Sequence, residues 1–436
     1  MASAYHCELA WLGGEHAERD VRVTVDGDRI VAVEVGVSTT GATRLAGLTV
    51  PGFANAHSHA FHRALRARTH AGSGSFWTWR EQMYSVAARL DPDSYFRLAR
   101  ATYAEMALAG ISTVGEFHYL HHAPGGVPYA APNAMGEALI AAAAEAGLRI
   151  TLLDTCYLRG GAGVELDDTQ RRFSDGDAAS WAARVDQLRD AGGVRIGAAI
   201  HSVRALDRAS IAEVTRSVAQ RRWVLHAHVS EQPAENEWCT AEHGVTPTEL
   251  LAGAGALDQP FTAVHAVYVT GRDVGLLGGS RCWCCLCPTT ERDLADGIAS
   301  ASLLRAAGAR VTLGSDSHAV IDILEEARAV ELDERLSTGV RGHHDAGSLL
   351  EMATANGHAS LGWPDAGRLA PGSLADLTSI RLDSVRTAGA LDALGTAVFA
   401  ATAADVHHVV IGGRVVVADG RHAKLDVARE LQEVLA

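Results

Sequence analysis

The sequence predicts an α/β fold, a TIM-like (β/α)8 barrel joined to a smaller β domain. Eight apolar runs of strand length alternate with helical, alanine-rich stretches in the middle of the chain, and this alternation is typical of a parallel sheet. The number of runs favours a closed barrel, with a doubly wound open sheet as the alternative. Both ends of the chain instead carry short strands separated by turn residues, and strands from the two ends can share one sheet.

The predicted barrel covers residues 49–368. Its first apolar run leads to His57, and the other seven runs are residues 112–118, 149–154, 194–201, 223–229, 261–265, 281–287 and 310–316. Polar side chains that can take part in chemistry stand at or just after most of these runs: His57, His59, Glu116, His118, His201, His228, His265 and Asp316. Because barrel enzymes carry their reactive groups at the carboxyl ends of the strands, the pattern predicts an active site at that end.

The predicted β domain combines residues 1–48 with residues 369–436. In each part a pair of apolar stretches flanks a turn, at residues 26–28 and at residues 412–413. Glycine and aspartate between such stretches are typical of tight hairpin turns. We therefore expect antiparallel strands at both ends of the chain.

The composition limits the classes of function. The chain has 436 residues, of which 47% are apolar, and a formal net charge of -14. That charge argues against nucleic acid or an anionic membrane as the main partner. The sequence shows no secretory leader and no apolar stretch long enough to span a bilayer. We expect a cytoplasmic enzyme that acts on a small molecule.

Seven cysteines, an odd number in a long chain, favour a reducing compartment over a disulfide framework. Four of them are crowded into residues 282–287. Structural zinc sites normally use pairs of ligands two to four residues apart with partners elsewhere in the chain, so this spacing is poor for zinc. We predict that these cysteines fill a buried strand.

Two histidines one residue apart, His57 and His59, are half of a possible metal site, because side chains two apart on a strand point the same way. Such a pair alone is equally typical of a protein surface, so the prediction depends on the other strand ends. A third imidazole and a carboxylate, His228 and Asp316, would complete a site with room for a water molecule. His226 could share the face of His228, but Glu231 follows His228 by three residues and can carry a proton.

The predicted chemistry is metal-dependent hydrolysis. A divalent ion lowers the pKa of coordinated water and so provides hydroxide near neutral pH. The reaction also needs a base and an acid, tasks that Asp316 and Glu231 can divide, with His265 positioning the water.

Several segments resemble the amidohydrolase superfamily: Pro51-Gly-Phe-Ala-Asn-Ala-His-Ser-His59, His228-Val-Ser-Glu231, His265, Ser315-Asp-Ser-His318 and Gly372-Ser-Leu-Ala-Asp-Leu377. The resemblance implies a distorted barrel and a β-sandwich built from both termini. Many binuclear members use a carboxylated lysine at the end of the fourth strand, whereas here that run ends at His201 and the single lysine is Lys424. The missing lysine therefore points to the mononuclear deaminase branch. The resemblance also implies a homodimer, which is the usual assembly in this family.

In that branch the family pattern implies one divalent ion held by His57, His59, His228 and Asp316. Zinc is the expected ion, although iron and manganese occupy similar ligand sets. The same pattern makes Glu231 the proton carrier and gives His265 and Asp316 the activation of water.

The segment of residues 76–84, together with the ends of the second and fourth runs, resembles the formimidoylglutamate deiminases. These enzymes convert N-formimino-L-glutamate to N-formyl-L-glutamate and ammonia in histidine degradation. The likeness implies that four residues hold the two carboxylates of the substrate: Arg80, Tyr119, His201 and Arg204. His62 stands where that family has a glutamine that reaches the substrate, and a histidine there can still donate a hydrogen bond.

Three alternatives remain open from the sequence. Arginines such as Arg80 and Arg204 commonly serve solubility on a protein surface. A deaminase acting on a nucleobase or another heterocycle would share the same metal chemistry. A scaffold protein that lost its activity is disfavoured, because the ligand set is intact. We expect His121 and His122 to be ordinary loop residues.

Overall fold

The computed structural model describes residues 3–70, 73–161, 163–389 and 391–435. Within these ranges the strands are β1 (Ser3–Ala10), β2 (Glu18–Asp26), β3 (Arg29–Glu34), β4 (Thr43–Pro51), β5 (Phe53–Ser58), β6 (Ile111–His118), β7 (Arg149–Cys156), β8 (Val194–Ile200), β9 (Leu225–Val229), β10 (Phe261–His265), β11 (Trp283–Leu286), β12 (Arg310–Leu313), β13 (Leu377–Ile380), β14 (Val406–Ile411), β15 (Arg414–Ala418) and β16 (Arg421–His422). The α-helices are α1 (Phe76–Ala87), α2 (Pro92–Leu108), α3 (Ala134–Ala146), α4 (Ala178–Val185), α5 (Arg208–Arg221), α6 (Pro233–His243), α7 (Pro247–Gly253), α8 (Gly271–Gly279), α9 (Pro288–Asp293), α10 (Ala301–Ala307), α11 (Ile323–Thr338), α12 (Ala346–Glu351), α13 (Gly357–Ser360), α14 (Ala393–Phe399) and α15 (Val427–Leu435).

Strands β5 to β12 form one parallel sheet in which neighbours in sequence are neighbours in space. The sheet closes where Ser58, at the end of β5, bridges to Asp316, just after β12. The Asp316 backbone N–H donates to the His57 carbonyl at 3.0 Å. Gly314 permits this approach, because a Cβ there would lie 2.7 Å from the Cβ of His57. The eight predicted strands and the barrel are thereby confirmed.

Both termini contribute to the second sheet, as predicted. Its strand order is β16-β15-β14-β13-β4-β1-β2-β3, so β4 joins the N-terminal strands to the C-terminal ones. The two halves of this sheet pack against each other, because Cys7, Val23 and Leu45 share one apolar cluster with Leu377 and Val410. The predicted sandwich is therefore one folded sheet.

The connection between the two sheets is short. Strand β4 ends at Pro51 and β5 begins at Phe53, so the strand that carries His57 starts directly from the terminal sheet. The Gly52 backbone N–H donates to the Asp376 carbonyl at 3.1 Å. This contact ties the base of the first barrel strand to the C-terminal half of the chain.

The cysteine-rich segment lies in and beside β11. All four of its cysteines are buried and none forms a disulfide, which agrees with the prediction that they fill a strand. Cys287 alone of the four lies close to other potential metal ligands in the described ranges, His265 and Asp316. Lys424 is exposed after β16. Among the helices that the structure describes, none is both long enough and apolar enough to cross a membrane.

Gly47 lies in β4 where the pairing of β4 with β1 shifts in register. Its φ is +76°, and a Cβ there would overlap the Ile380 carbonyl oxygen. We predict that Gly47→Ala lowers the free energy of unfolding by about 3 kcal/mol or more, because left-handed strain and a backbone clash add together. Thermal unfolding at a fixed scan rate measures the loss.

The matched control is Gly41→Ala. Gly41 has a φ of +72°, but a Cβ there would meet no atom within 4 Å. It should therefore lose only about 1 kcal/mol through backbone strain. Equal losses in the two variants would show that the clash at β4 is unimportant.

Candidate metal centre and active-site pocket

Three imidazoles and one carboxylate meet at the carboxyl ends of β5, β9 and β12. The Nε2 atoms of His57 and His228 lie 3.1 Å apart, and Asp316 Oδ1 lies 3.5 Å from Nε2 of both His57 and His59. All four residues are buried. Ligand atoms bound tetrahedrally to zinc at ordinary bond lengths lie about 3.3 Å apart. Among the described residues, His57, His59 and Asp316 form one group whose ligand atoms all lie within 4.8 Å of one another, and His57, His228 and His265 form another. His57 is common to both groups and so joins His228 to the other two residues.

Backbone carbonyls fix the orientation of two of these imidazoles. His59 Nδ1 lies 2.9 Å from the Phe117 carbonyl oxygen, and His228 Nδ1 lies 2.9 Å from that of His201. A carbonyl only accepts, so each Nδ1 donates its proton and each Nε2 keeps a lone pair that faces the cluster.

Burial keeps the three histidines neutral, which is the form that binds metal. Burial, and then the charge of His57, lower the pKa of His59 to about 3. Burial is also the main cause that holds the pKa of His57 and that of His228 well below the usual value. Neutral imidazoles and a carboxylate are a donor set suited to a divalent transition metal, so the residues present fit such an ion.

The backbone is strained at three of the strand ends. Ser230, His265 and Asp316 have φ values of +51°, +71° and +38°. Residues other than glycine adopt this left-handed region only at an energetic cost, which is often found at functional sites. The strain turns the chain sharply after β9, at the end of β10 and after β12, where the polar side chains converge.

His265 lies between three carboxylates. Its Nε2 is 3.7 Å from Glu231 Oε1 and 3.8 Å from Asp316 Oδ2, and its Nδ1 is 3.4 Å from Glu291 Oε1. Burial would lower the pKa of His265, but these carboxylates outweigh it and raise the pKa to about 10. The structure thus places the predicted catalytic residues Glu231, His265 and Asp316 together.

Arg204 differs from the free carboxylate clamp that the sequence suggested. Its Nη2 donates to Glu231 Oε2 at 2.7 Å, and its Nε lies 3.7 Å from Glu235 Oε2. The Glu235 carboxylate accepts the backbone N–H groups of Ser230 and Glu231 at 3.2 and 3.3 Å. Arg204 therefore neutralises the carboxylates around the proposed proton carrier, although it also lines the pocket.

One cavity contains all the residues that the sequence placed at the substrate: His62, Arg80, Tyr119, His201 and Arg204. His59, His228, Glu231 and Asp316 line the same cavity. Helix α1 supplies one wall through Phe76, Trp79, Arg80, Met83 and Tyr84. Trp238 on α6 also lines the cavity, and its ring lies 5.4 Å from that of Trp77 on α1.

Of the two arginines among the described residues that line this pocket, Arg80 is the one whose guanidinium forms no ion pair. It lies 4.7 Å from the ring centroid of Trp77 and 5.5 Å from that of Tyr84. No carboxylate of the described part of the chain forms an ion pair with it, in contrast to Arg204. An arginine stacked on aromatic rings keeps its hydrogen-bond donors available for an anion.

His62 faces the pocket from the segment that follows the first two ligand histidines. Its Nε2 lies 3.1 Å from the Tyr119 hydroxyl, and its ring centroid lies 4.5 Å from that of His59 and 5.0 Å from that of Trp79. His62 Nε2 and the Tyr119 hydroxyl therefore form a hydrogen-bonded pair on one side of the cavity.

Other histidines singled out in the sequence lie outside this group. His226 bonds the Ser360 carbonyl at 3.1 Å. His121 and His122 are buried and not ordinary loop residues: His121 bonds the Thr155 carbonyl at 2.8 Å and His122 pairs with Asp175 at 3.0 Å. Their role is to hold the loop after β6 in place.

Two buried glutamates of the site were not foreseen from the sequence. Glu235 follows Glu231 by four residues, and Glu291 follows Cys287 by four. A helix begins just after the strand end in each case, at Pro233 for α6 and at Pro288 for α9. A carboxylate on the first turn of such a helix can reach back to the strand end, and this spacing is the signal that could have identified them.

The sequence model described as "Amidohydrolase family" matches residues 48–416. A formimidoylglutamate deiminase from Pseudomonas aeruginosa is 36% identical, with 97% of this chain and 96% of that protein covered. An 8-oxoguanine deaminase from the same organism is 30% identical, with 87% and 84% covered.

A crystal structure of an amidohydrolase from Brucella melitensis superposes with a TM-score of 0.89 at 31% identity, covering 99% of both chains. The match to the family model extends over far more than half of the sequence, and it includes every residue of the cluster described above. The chain belongs to the amidohydrolase family.

Proposed function

We propose that this amidohydrolase-type deaminase hydrolyses N-formimino-L-glutamate to N-formyl-L-glutamate and ammonia, a step of histidine degradation. The observation that carries the proposal is the guanidinium of Arg80, which forms no ion pair among the described residues. Arg80 lines the same cavity as His59, His228 and Asp316. A small substrate with carboxylates requires such a fixed cation. The 36% identity to a formimidoylglutamate deiminase along nearly the whole chain also supports it.

The two ends of the substrate match the two ends of the pocket. The formimino group is an amidine, which is a cation when protonated, and it would lie beside the carboxylates of Glu231 and Asp316. The glutamate end would reach Arg80, with Tyr119 and His201 as further hydrogen-bond partners on the same walls. Arg204 would approach a carboxylate of the substrate only while sharing its charge with Glu231.

We assign His57, His59, His228 and Asp316 to one divalent ion, with zinc as the expected species. When bound, such an ion lowers the pKa of coordinated water and supplies a nucleophile near neutral pH. The carbonyls of Phe117 and His201 hold the ligand imidazoles in the required tautomer.

Glu231 moves the proton in this proposal. Its Oε2 accepts a hydrogen bond from Arg204 Nη2 at 2.7 Å. Its Oε1 faces His265 Nε2 at 3.7 Å, so this oxygen is the one that takes a proton and later delivers it to the departing nitrogen. Glu291 holds His265 from its Nδ1 side, and so directs Nε2 toward Glu231 and Asp316.

A deaminase for a nucleobase or another heterocycle is the second candidate. Aromatic rings line much of the cavity, among them Phe76, Trp79, Tyr119, Tyr157 and Phe173, and flat bases stack well on such rings. The 30% identity to an 8-oxoguanine deaminase is consistent with this alternative.

Ammonia release separates the two candidates. We expect turnover of N-formimino-L-glutamate and none of guanine, cytosine or 8-oxoguanine at equal concentrations. The measurement is the initial rate of ammonia formation by the metal-loaded protein. Turnover of a base without turnover of the dicarboxylate would refute the proposal.

Arg80 provides the test of substrate binding. We predict that Arg80→Gln raises KM for N-formimino-L-glutamate about 10- to 100-fold, the equivalent of one lost charge-assisted interaction, and changes kcat less. The control is Arg89→Gln, which should behave as wild type. Arg89 is exposed, follows α1 directly and does not line the cavity. An unchanged KM in Arg80→Gln would show that the guanidinium does not hold the substrate.

Glu231 provides the test of proton transfer. We predict that Glu231→Gln lowers kcat by about 100- to 10 000-fold, because an amide cannot carry the proton, while bound metal remains stoichiometric by elemental analysis. Glu237→Gln, an exposed position on α6, is the matched control. A rate near that of wild type would remove Glu231 from the mechanism, and loss of metal would mean that it supports the ion instead.

A further inference from the structure

A second group of potential metal ligands lies on the terminal sheet, in a different part of the chain from the cavity. It consists of His407 and His408 on β14 and Asp419 in the turn between β15 and β16. The Nε2 atoms of the two histidines lie 3.2 and 4.0 Å from Asp419 Oδ1. One ligand atom from each residue lies within 4.8 Å of the others.

A β-bulge explains how two consecutive histidines can act together. Successive side chains of a regular strand point to opposite faces. Here Ser379 pairs with His408 and Ile380 pairs with Val406, so β14 has one extra residue between these pairs. Such a bulge re-aims a side chain, and the two imidazole rings come within 4.7 Å of each other at an interplanar angle of 80°.

The geometry matches that of the buried cluster. The rings of His57 and His59 are also 4.7 Å apart, at 89°, and the carboxylate of Asp316 lies 3.5 Å from both. Two imidazoles side by side with an aspartate near them therefore recur in the described part of this fold: at a strand end for His57 and His59, at a bulge for His407 and His408, and in a third, buried group of His118, His121 and Asp154.

The position of Asp419 is fixed by the backbone. Asp419 and Gly420 have φ values of +53° and +69°, which are typical of a tight two-residue hairpin turn. The Gly420 N–H donates to the His407 carbonyl at 2.9 Å. The turn that carries Asp419 is thus held beside β14 by a main-chain contact that does not depend on any bound ion.

The group is open to solvent and in a favourable field. The side chains of His407 and His408 are 25% and 19% exposed, and that of Asp419 is 79% exposed. The net charge of -14 attracts cations to the surface in general.

We propose that His407, His408 and Asp419 bind a second divalent transition-metal ion, with water in the remaining coordination positions. Two imidazoles and one carboxylate select zinc, nickel or copper(II) over magnesium and calcium, which prefer oxygen ligands alone. The site is separate from the buried cluster, so it does not depend on the proposed reaction.

The experiment is a titration with Zn²⁺. The sample is the holoenzyme with the metal that it retains after gel filtration. Calorimetry should show one further equivalent per chain. The double variant His407→Gln/His408→Gln should lose that equivalent and keep the retained metal. His16→Gln, at an exposed histidine of the loop after β1, is the control and should still bind it.

Asp419→Asn tests the carboxylate without disturbing the core. We expect the variant to bind the further Zn²⁺ equivalent at least about tenfold more weakly. Loss of a ligand should reduce the affinity no less than loss of a group that supports a ligand. No binding beyond the retained metal in the wild type would overturn the proposal. It would also be overturned if the further equivalent persisted in the double variant or disappeared in His16→Gln.

Discussion

Closure of the barrel between β12 and β5 is the constraint on which the candidate active site depends. His57 belongs to the first strand of the sheet and Asp316 follows the last one, and this closure brings them together. The contact leaves no room for a side chain at Gly314, and it includes a backbone hydrogen bond from Asp316 to His57. The same contact that completes the fold thus sets the distance between ligands from its two ends.

Charge balance divides the pocket into two regions. Around Glu231 the carboxylates are compensated within the protein, because Arg204 lies against both Glu231 and Glu235. On the wall formed by α1, Arg80 is stacked on rings and keeps its charge available. Two arginines that look alike in the sequence therefore lie in different environments, since Arg204 is paired with carboxylates and Arg80 is stacked on aromatic rings.

The sequence was sufficient to predict the eight barrel strands, the two-ended sheet and part of the cavity lining. Each of these depends on periodicity and on strand ends, which the order of residues records directly. The pairing of Arg204 with Glu231 and the contribution of Glu291 depend on how helices after the strands pack. The bulge at His407 depends on the register of the partner strand β13. Such features arise from contacts between distant segments, and a local pattern such as the four-residue spacing from Cys287 to Glu291 shows only that a contact is possible.

The solitary lysine has a consequence for the behaviour of the molecule in alkaline solution. Guanidinium groups remain protonated under all ordinary conditions, whereas ε-ammonium groups lose their proton between about pH 9 and 11. With Lys424 as the only side chain of that kind, nearly all the fixed positive charge persists where lysine-rich proteins lose theirs. The ion pairs between arginine and carboxylates on the surface of this molecule therefore keep both charges in alkaline solution, where a lysine partner would lose its proton.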